Sequence, residues 1–581
     1  MSRRWRSGLF VLWLIAAACL LWWKWNAIHW FALGDTDDNM RIMQVRGLLH
    51  GQAWFDLRQY KLDPPHGANI HWSRLVDLPI AGMILFFRPF CGGIIAEQIA
   101  VAVAPLLALG AAMAATALTA RRLIDPRAFA LAPLMIFFGQ SAVGMFAPLR
   151  IDHHGWQLAF LALAAAGCAD PKRARGGVTV GLATAASMTI GLELIAHMAI
   201  AGACIVLRWV ADRDEAERLR GYAVSLAAGC TIGFLLFASY DNRAAVCDAL
   251  SPVWLSVALG AGALLTLLAA LRIDDWRVRL ALAAVAGGLV AGFYVLAWPH
   301  CLGRLEGVSP ELYDDWLKNV REAKPIYTLA WRAQLDTVAL PLVGLVGTVT
   351  MLVRTWATPR FAGWATLAAM SLFAGLLLLW QIRAGPGAQL LAAPGAGALA
   401  WMLLNALLLG RHQIAAAIGA TALFAGLCTG SIVDAIPGKP LPSRARRAVN
   451  TANARCPTIP ALRPLAKLPP ATILTFVDFG PRLITLTRHK AIAGPYHRNG
   501  AAILDIHHAF RSSDPEVAHQ VMRRHGATLL LVCPGMSEST IYAAQAPKGF
   551  YAQLRNGQIP DWLERIELPA GSPFWLWRLK D

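Results

Sequence analysis

The sequence predicts a polytopic α-helical membrane protein with a smaller α/β domain at its C-terminal end. Of the 581 residues, 57% are hydrophobic and 15% are charged, whereas soluble domains carry about 25% charged residues. Apolar windows long enough to cross a bilayer recur throughout residues 1–431. Residues 432–581 instead mix strand-like apolar runs with amphipathic helices, a pattern typical of a folded domain outside the lipid.

The apolar windows predict about thirteen membrane-spanning helices. They lie near 8–25, 95–119, 128–147, 155–169, 177–193, 194–210, 221–239, 253–271, 280–298, 335–353, 361–381, 386–409 and 413–431. The first window follows the basic segment MSRRWRS, and WWKWN rather than a small-residue cleavage site comes after it. We therefore predict an uncleaved first helix whose N-terminus is in the cytoplasm.

The distribution of basic residues predicts the orientation. The net charge is +18, and Arg and Lys gather in short loops between apolar windows. Cytoplasmic loops carry this excess, and the charge suits anionic lipids rather than nucleic acid. Alternate crossing from a cytoplasmic N-terminus gives the same orientation. It puts the following segments outside: 26–94, 147–154, 240–252, 299–334, 382–385 and 432–581.

The chain is thus predicted to have two parts. Residues 1–431 form a transmembrane core whose outer loops 26–94, 147–154 and 299–334 carry the chemistry. Residues 432–581 form an extracytoplasmic soluble α/β domain, entered through the linker PGKPLPSRARR. Its predicted strands are ATILTFV, KAIAGPY, ATLLLVC and FWLWRL, and its predicted helices are PEVAHQVMRRHG and GFYAQLRNG.

Of the ten cysteines, Cys247, Cys301, Cys456 and Cys533 fall in the later outer loops and the C-terminal domain. An oxidising compartment would permit the disulfides Cys247–Cys301 and Cys456–Cys533. The spacing alone establishes neither pair. No CxxC motif indicates a metal site.

A first acidic cluster follows the first apolar helix directly. The run GDTDDNMR contains Asp35, Asp37 and Asp38, and it continues to Arg41. One Asp there is explained as a helix N-cap, because carboxylates satisfy the first amides of a helix and suit its dipole. Three exceed what a cap needs. Charged groups beside lipid are costly unless they serve a function, and carboxylates are the ligands that hard divalent ions prefer.

A second cluster lies in the predicted outer loop 147–154. RIDHHGW contains Asp152, His153 and His154. An Asp and a His in the order DxH can give one oxygen and one nitrogen to a Mn²⁺ or Mg²⁺ ion. The alternative is that Asp152 pairs with Arg150, and both interpretations are compatible.

Three further charged residues lie singly near the outer surface. Glu322 is in NVREAKPIY, Glu193 is in GLELIAH and Arg383 ends a long apolar helix. The alternative for Glu322 is a solvated side chain, and the alternative for Glu193 is an ion pair or a helix cap. Arg383 either extends its charge to the interface or binds a lipid phosphate or pyrophosphate.

These motifs together resemble the catalytic subunits of archaeal oligosaccharyltransferases. DTDDNMR is similar to their first acidic motif, and YKLDPPHGANIHWSRL to their Y-x-x-x-P-x-G-x-x-x-x-W stretch. RIDHHGW resembles their DxH-type motif, and VREAKP the segment around the Glu of their fifth external loop. That family belongs to the C-type glycosyltransferases, membrane enzymes that use polyprenyl-linked sugars. The resemblance covers nearly the whole chain and implies their GT-C fold.

The resemblance also implies roles for individual residues. It implies metal binding by Asp35, Asp152 and His154, with Asp35 or Glu322 acting on the acceptor nucleophile. It implies donor phosphate binding by Arg383. We expect the remaining candidates to contact the acceptor or to support these groups: Asp37, Asp38, Arg41, His153, Glu193, Asp478, His497 and Arg498.

The family's acceptor-reading WWDYG motif is missing. TFVDFGPRLITLTRH stands at the corresponding place, where Asp478 and Gly480 are kept and Phe476 and Val477 replace the two Trp residues. The sequence YHRNG, with His497 and Arg498, then follows. We therefore expect no dependence on an Asn-x-Ser/Thr sequon.

The resulting hypothesis is a metal-assisted glycosyltransferase at the outer, periplasmic face of a bacterial inner membrane. Its donor would be a polyprenyl (pyro)phosphate-linked sugar, and its acceptor a glycan, a lipid or a protein. One alternative is a protein oligosaccharyltransferase proper, and another class is a polyprenyl-linked glycan flippase. Transporters keep ionisable groups near mid-membrane and show inverted repeats. The acids here lie at helix ends on one face, which favours an enzyme.

Overall fold

The computed structural model describes residues 4–409, 414–431 and 442–580. The first part of the chain is helical throughout. Its helices are α1 Arg4–His29, α2 Thr36–Leu49, α3 Asp77–Leu123, α4 Leu131–Met135, α5 Gln140–Gly144, α6 His154–Cys168, α7 Arg173–Ile190, α8 Ile195–Ala211, α9 Ala216–Phe237, α10 Pro252–Ala270, α11 Trp276–Ala297, α12 Pro310–Asp315, α13 Trp331–Arg354, α14 Phe361–Leu377, α15 Gly385–Leu409 and α16 Ile414–Thr429.

Seven helices in the described residues are long and apolar enough to cross a membrane, by length and composition. Four apolar helical stretches are shorter, namely Ala128–Phe138, Ile195–Ala211, Phe361–Leu377 and Ile414–Thr429. The multi-pass helical architecture is therefore confirmed, while the number of thirteen crossings stays a prediction. Glycines allow close packing within the bundle: a Cβ on Gly177 of α7 would lie 2.0 Å from the carbonyl oxygen of Arg218 in α9.

The predicted continuous helix 128–147 is wrong. The segment is broken at Gly139, whose backbone is extended with φ −93° and ψ 98°. A side chain from α15 occupies the break, because Gln389 Oε1 accepts a hydrogen bond from the amide of Ala142 at 3.0 Å. A Cβ at Gly139 would lie 2.8 Å from that oxygen. Hydropathy could not reveal this break, since it depends on a partner distant in the sequence.

The apolar piece 78–90 of the first loop forms the start of α3. The backbone departs from helical geometry at Gly92, where φ is +79°, a value that favours glycine. The side chains of Phe86, Phe90 and Ile94 near this bend are exposed. This piece therefore presents an apolar surface, as expected of a helix lying in the membrane interface.

The C-terminal part is a mixed α/β unit around a five-stranded sheet. Its strands are β1 Thr472–Leu474, β2 Lys490–Ala491, β3 Ala527–Val532, β4 Leu563–Ile566 and β5 Trp575–Leu579, in the order β2-β1-β3-β5-β4. β1 is parallel to β2 and β3, and β5 is antiparallel to β3 and β4. The helices are α17 Arg444–Arg455, α18 Ile459–Leu462, α19 Gly480–Leu486, α20 Gly500–Arg511, α21 Pro515–Arg524, α22 Ser537–Gln545 and α23 Phe550–Arg555.

The four predicted strands and the two predicted helices of this part are all present. The sequence analysis missed β4, because LERI is short and its charged middle residues are exposed. It also missed α19, α20 and α22. Residues 437–441 of the predicted linker lie outside the described residues, and its last residues form the start of α17.

Both candidate disulfides are present, Cys247–Cys301 and Cys456–Cys533. The first joins the loop 240–252 to the loop 299–334. The second joins the end of α17 to the end of β3. The two pairs that the spacing left open are thereby confirmed.

The segments predicted to be outside lie on one side of the helical part. The amide of Ile151, in the loop 147–154, donates to Asp38 of the first loop at 2.8 Å. The amide of Ile382 donates to the carbonyl of Lys324 at 2.8 Å, which joins the loops 382–385 and 299–334. Arg46 of the first loop donates to the carbonyl of Thr485, and Arg498 donates to Asp248 of the loop 240–252, so both loops are joined to the C-terminal part. The common side is therefore confirmed, while its assignment as extracytoplasmic stays a prediction.

The first loop and the C-terminal part share one hydrophobic core. Met40, Leu62 and Trp72 of the loop are buried in the same cluster as Phe479 and Ile484 of the C-terminal part. A parallel bridge between Leu62 and Ala491 continues the edge of the sheet. The boundary at 431/432 stays a prediction, and the C-terminal part is packed on the first loop rather than held by its linker alone.

An ionic contact at this junction predicts a pH dependence of stability. His525 lies between Asp505, 2.8 Å away, and Asp63 of the first loop, 3.5 Å away. Burial lowers the pKa of His525, but the hydrogen bonds with both carboxylates outweigh burial and raise it from 6.5 to about 9. The folded protein therefore holds this proton more tightly than the unfolded chain. The stabilisation is complete below about pH 6.5 and is lost as the pH rises through 9.

We expect the melting temperature of the detergent-solubilised protein to fall between pH 6.5 and 9 more steeply in the wild type than in His525→Gln. The exposed His66→Gln is the matched control, and it should follow the wild type. Identical slopes in the wild type and His525→Gln would contradict the assignment.

Candidate active site

One large cavity of about 1260 Å³ lies between the helical part, the outer loops and the C-terminal part. Nine of the residues chosen from the sequence line it: Asp35, Asp37, His153, His154, Glu193, Glu322, Arg383, Asp478 and His497. They come from seven separate stretches of chain. Four chosen residues are not on its wall, namely Asp38, Arg41, Asp152 and Arg498. Their positions are described below as corrections to the expected contacts.

The acidic run begins α2, and its first residue is indeed a cap. Asp35 has extended backbone, and its carboxylate accepts the amide hydrogen of Asp37 at 3.2 Å. Asp38 instead points away from the cavity, where its Oδ1 accepts the amides of Ile151 at 2.8 Å and Asp152 at 3.1 Å. Asp38 therefore fixes the second loop to α2 and does not contact an acceptor directly.

Arg150 joins the two clusters. Its guanidinium contacts Asp35, lies 3.4 Å from Asp38 and lies 2.8 Å from Asp152. Asp38 and Asp152 are almost completely buried, with 2% and 0% of their side chains exposed. Buried carboxylates need a compensating charge, and Arg150 supplies it for two loops at once. The pairing of Asp152 with Arg150 that the sequence left open is therefore present.

Asp152 lies behind the cavity wall and holds His154. Its two oxygens accept bonds from the His154 amide at 3.1 Å and from the Nδ1 side of the ring at 2.9 Å. A carboxylate on one imidazole nitrogen orients the ring and leaves the other nitrogen for a ligand. In this geometry Asp152 positions His154, and its role as a direct metal ligand stays a prediction.

His153 and Glu193 form a second pair beside this one. The Nε2 of His153 lies 2.9 Å from Glu193, and Gln157 donates to the other oxygen of Glu193 at 2.6 Å. The His153 ring stacks on His154 at a centroid distance of 4.4 Å and packs against Trp72 at 5.5 Å. Glu193 is thus an ion-paired residue of the cavity wall, as its alternative interpretation held.

Asp37 carries a partly buried carboxyl group with several other carboxylates nearby. Burial raises the pKa of its carboxyl to about 8, with further contributions from Asp35, Asp152 and Glu322. A bound cation would relieve the repulsion among these groups. The donors that face the cavity are the carboxylates of Asp35 and Asp37 and the His154 ring. These oxygen and nitrogen donors are of the kinds that Mn²⁺ or Mg²⁺ bind. They are not among the groups of three described residues whose ligand atoms lie within 4.8 Å of one another, so a shared ion stays a prediction.

Glu322 of the loop 299–334 and Arg383 of the loop 382–385 lie together on the cavity wall. Arg383 Nη2 is 3.1 Å from Glu322 Oε1, and both side chains are partly exposed to the cavity. The Nε of Arg383 is buried without a hydrogen-bond partner among the described residues. A guanidinium with free N–H groups is suited to a phosphate. Arg304 and Arg321 also line the cavity.

Arg41 does not face the cavity. It is completely buried, 2.8 Å from Asp77, and its guanidinium stacks 4.5 Å from the centre of the Trp72 ring. Arg74 pairs with the other oxygen of Asp77 at 3.1 Å. Arg41 therefore stabilises the first loop and does not contact the cavity.

The side chains of the FVDFG segment point in two directions, toward the cavity and into the core of the C-terminal part. Asp478 faces the cavity, and the amides of Val477 and Asp478 each donate to Glu538 at 2.9 Å. Phe476 and Val477 are buried, and the Phe476 ring packs against Phe510 at 5.3 Å. The residues that replace the paired Trp therefore belong to the core.

Sequence reasoning missed Glu538 and Asp248. Glu538 organises the turn at Asp478. Asp248 binds both His497, at 2.5 Å, and Arg498, at 2.5 Å, and so occupies the Arg498 guanidinium away from the cavity. Both are single acids in unremarkable surroundings, so no local pattern marks them. The position of Asp248 next to Cys247 was the one available signal.

Comparisons with known proteins agree with this architecture. No family model and no curated protein matches the chain. Oligosaccharyltransferase AglB from Archaeoglobus fulgidus, in complex with an inhibitory peptide and a dolichol-phosphate, superposes with a TM-score of 0.68 at 16% identity, covering 94% of this chain and 71% of that one. The A. fulgidus enzyme tethered to an acceptor peptide with the NVT sequon gives 0.67 at 15% identity, covering 100% and 74%.

A third structure of the A. fulgidus enzyme, in complex with Zn and sulfate, gives a TM-score of 0.57 at 14% identity over 98% of this chain and 73% of that one. Likeness at such identities shows a shared fold. The chain therefore has the fold of the archaeal oligosaccharyltransferases, and the GT-C architecture that the motifs implied is confirmed.

The position of Arg150 predicts a specific stability defect. Arg150→Met would leave two buried carboxylates uncompensated, which costs about 3–5 kcal/mol of folding free energy. We expect a lower melting temperature than the wild type and partial recovery with Mn²⁺, because a divalent ion also neutralises carboxylates. The exposed Arg88→Met is the matched control. Equal stability of Arg150→Met and the wild type would contradict this role.

Proposed function

We propose that this chain is an integral membrane glycosyltransferase that transfers a sugar or oligosaccharide from a polyprenyl (pyro)phosphate to an acceptor. The observation that carries the proposal is the single cavity in which Asp35, His154, Glu322 and Arg383 meet. Acids, an imidazole and an arginine are the groups that a transfer from a phosphate leaving group needs. The shared fold supports the same reaction class.

Arg383 would bind the donor phosphate. Among the described arginines that line the cavity, Arg383 has a buried N–H group without a hydrogen-bond partner. It lies in the short helical turn directly before α15. A phosphate linked to a lipid would reach it from the apolar helix that follows. One structural neighbour was solved with dolichol-phosphate, which supports a polyprenyl phosphate as the ligand class.

Acidic side chains of the cavity would act on the acceptor. Asp35 or Glu322 would orient the acceptor nucleophile or take its proton, while the sugar leaves its phosphate through an oxocarbenium-like state, with inversion at the anomeric carbon. A divalent ion at Asp35, Asp37 and His154 would neutralise the leaving phosphate when bound. Asp152 and Arg150 would keep these side chains in place.

The acceptor is proposed to be a glycan or lipid hydroxyl rather than an Asn sequon. Phe476 and Val477 are buried in the C-terminal core and leave Asp478 as the FVDFG side chain on the cavity wall. A protein oligosaccharyltransferase is the second candidate, because a structural neighbour was solved with a tethered sequon peptide. Asp478 and His497 are the proposed acceptor contacts.

The proposed location is a bacterial inner membrane, with the N-terminus in the cytoplasm and the C-terminal part in the periplasm. Two disulfides on the side of the cavity support an oxidising compartment there. The partners are then a polyprenyl-linked donor, an extracytoplasmic acceptor and membrane lipids.

An assay with the purified protein, a polyprenyl-linked donor and Mn²⁺ tests this function. We expect Asp35→Ala and Asp152→Asn to lose activity by about 10–100-fold or more, because ligands of an ion and the groups that orient them affect rate at this scale. The exposed Asp561→Ala is the control and should keep full activity. Full activity in Asp35→Ala at saturating Mn²⁺ would overturn the assignment.

The same assay distinguishes the two acceptor classes. Equal amounts of a sequon peptide and a lipid-linked or free glycan are offered together, and the products are identified by mass spectrometry. We expect transfer to a hydroxyl acceptor and none to the Asn. Efficient transfer to the peptide would make the chain a protein oligosaccharyltransferase, and movement of the lipid across vesicles without transfer would make it a transporter.

A further inference from the structure

A second group of ligand-type side chains lies on the cavity wall, apart from the acidic clusters. His71 of the first loop, Asp248 of the loop 240–252 and His497 of the C-terminal part come together there. One ligand atom from each lies within 4.8 Å of the other two. The His71 and His497 rings are 4.7 Å apart between centroids. None of the three belongs to the ion site discussed above.

The chemistry of this group differs from that of the Asp35 group. Two imidazoles and one carboxylate favour a borderline transition ion such as Zn²⁺ over Mg²⁺. Three protein ligands leave the fourth tetrahedral position open. All three residues line the cavity, so an open position would be accessible from it.

The surroundings hold the carboxylate in a fixed position. Arg498 donates to both oxygens of Asp248, at 2.5 Å and 2.8 Å. Arg498 is itself held by Asn69 at 3.1 Å and Asn242 at 2.7 Å. Ligating carboxylates are commonly hydrogen-bonded in this way. The preceding residue, Cys247, is tied to Cys301.

The two histidines are able to bind an ion. Neither ring nitrogen of His71 has a hydrogen bond among the residues that the structure describes. The Nε2 of His497 lies 2.5 Å from Asp248. An ion between them would replace the proton of that bond, and a neutral His497 would then carry its proton on Nδ1.

The other two groups of this kind are less suited. Cys247 and Cys301 of one group are joined in a disulfide, so they offer no thiolate beside His300. Glu311, Asp315 and His508 form the other group. It lies outside the cavity wall, and Glu311 and His508 are exposed.

We propose that His71, Asp248 and His497 form a zinc-type site that joins the first loop, the loop 240–252 and the C-terminal part, with an open coordination position toward the cavity. The site does not depend on the proposed reaction. A bound ion would fix the C-terminal part against the first loop and would present a Lewis acid to an oxygen ligand in the cavity.

Metal binding by the full-length protein in detergent tests this site directly. The protein is stripped with chelator, incubated with equimolar Zn²⁺ in excess Mg²⁺, desalted and assayed for zinc content. Co²⁺ in place of Zn²⁺ reports the ligand set through its visible absorption. We expect about one tightly bound Zn²⁺ per chain, and a loss of affinity of at least about tenfold in His71→Ala and His497→Ala.

Matched variants separate this site from the others. Asp35→Ala and His508→Ala should keep the zinc, because Asp35 belongs to the acidic cluster and His508 to the group with Glu311 and Asp315. If an alanine variant fails to fold, Asp248→Asn keeps the side-chain shape and should weaken zinc binding equally. Zinc that is lost in Asp35→Ala or His508→Ala but kept in His71→Ala would overturn the proposal. Absence of tight Zn²⁺ binding by the wild type would also overturn it.

Discussion

The ionic contact of Arg150 with Asp35, Asp38 and Asp152 is the interaction on which the site depends. Asp35 and Asp38 lie at the start of α2 and Asp152 lies just before α6, and the buried carboxylates of Asp38 and Asp152 need a compensating charge. One guanidinium with several N–H groups compensates all three. This contact therefore brings the end of α1 and the start of α6 to a common surface, and it gives His154 a fixed carboxylate partner in Asp152.

The first loop extends this arrangement to the C-terminal part. Its buried Arg41–Asp77 pair stabilises the loop from within. Its outer surface shares a core with the α/β unit and bonds to it through Arg46 and the carbonyl of Thr485, at 2.7 Å. The cavity consequently has walls from the membrane helices, the loops and the C-terminal part. A change in any of the three would alter the site.

The sequence predicted those features that depend on local patterns. Hydropathy and basic loops located the long helices, and alternating apolar runs located β1, β2, β3 and β5. The clustered acids and imidazoles were recognised because such groups are costly beside lipid. The changed acceptor surface inferred from the missing Trp pair at FVDFG stays a prediction, and Phe476 is buried in the core.

The features that the sequence missed depend on contacts between distant residues. The helix break at Gly139 exists because Gln389 occupies it. Glu538 and Asp248 gain their positions from partners more than fifty residues away, so nothing around them in the chain distinguishes them. Asp38, Asp152, Arg41 and Arg498 were rightly chosen as unusual charges, but burial turned them into supports rather than cavity contacts. Charge type is readable from sequence, whereas the direction of a side chain requires the fold.

The central claim is that one cavity holds the lipid phosphate and the ion together. A cryo-electron-microscopy structure of the detergent-solubilised protein with a polyprenyl phosphate and Mn²⁺ tests it most directly. We expect the phosphate in contact with Arg383, and an ion bound by Asp35 and His154 in the same cavity. A phosphate bound on another face, or an ion that contacts neither Asp35 nor His154, would contradict it.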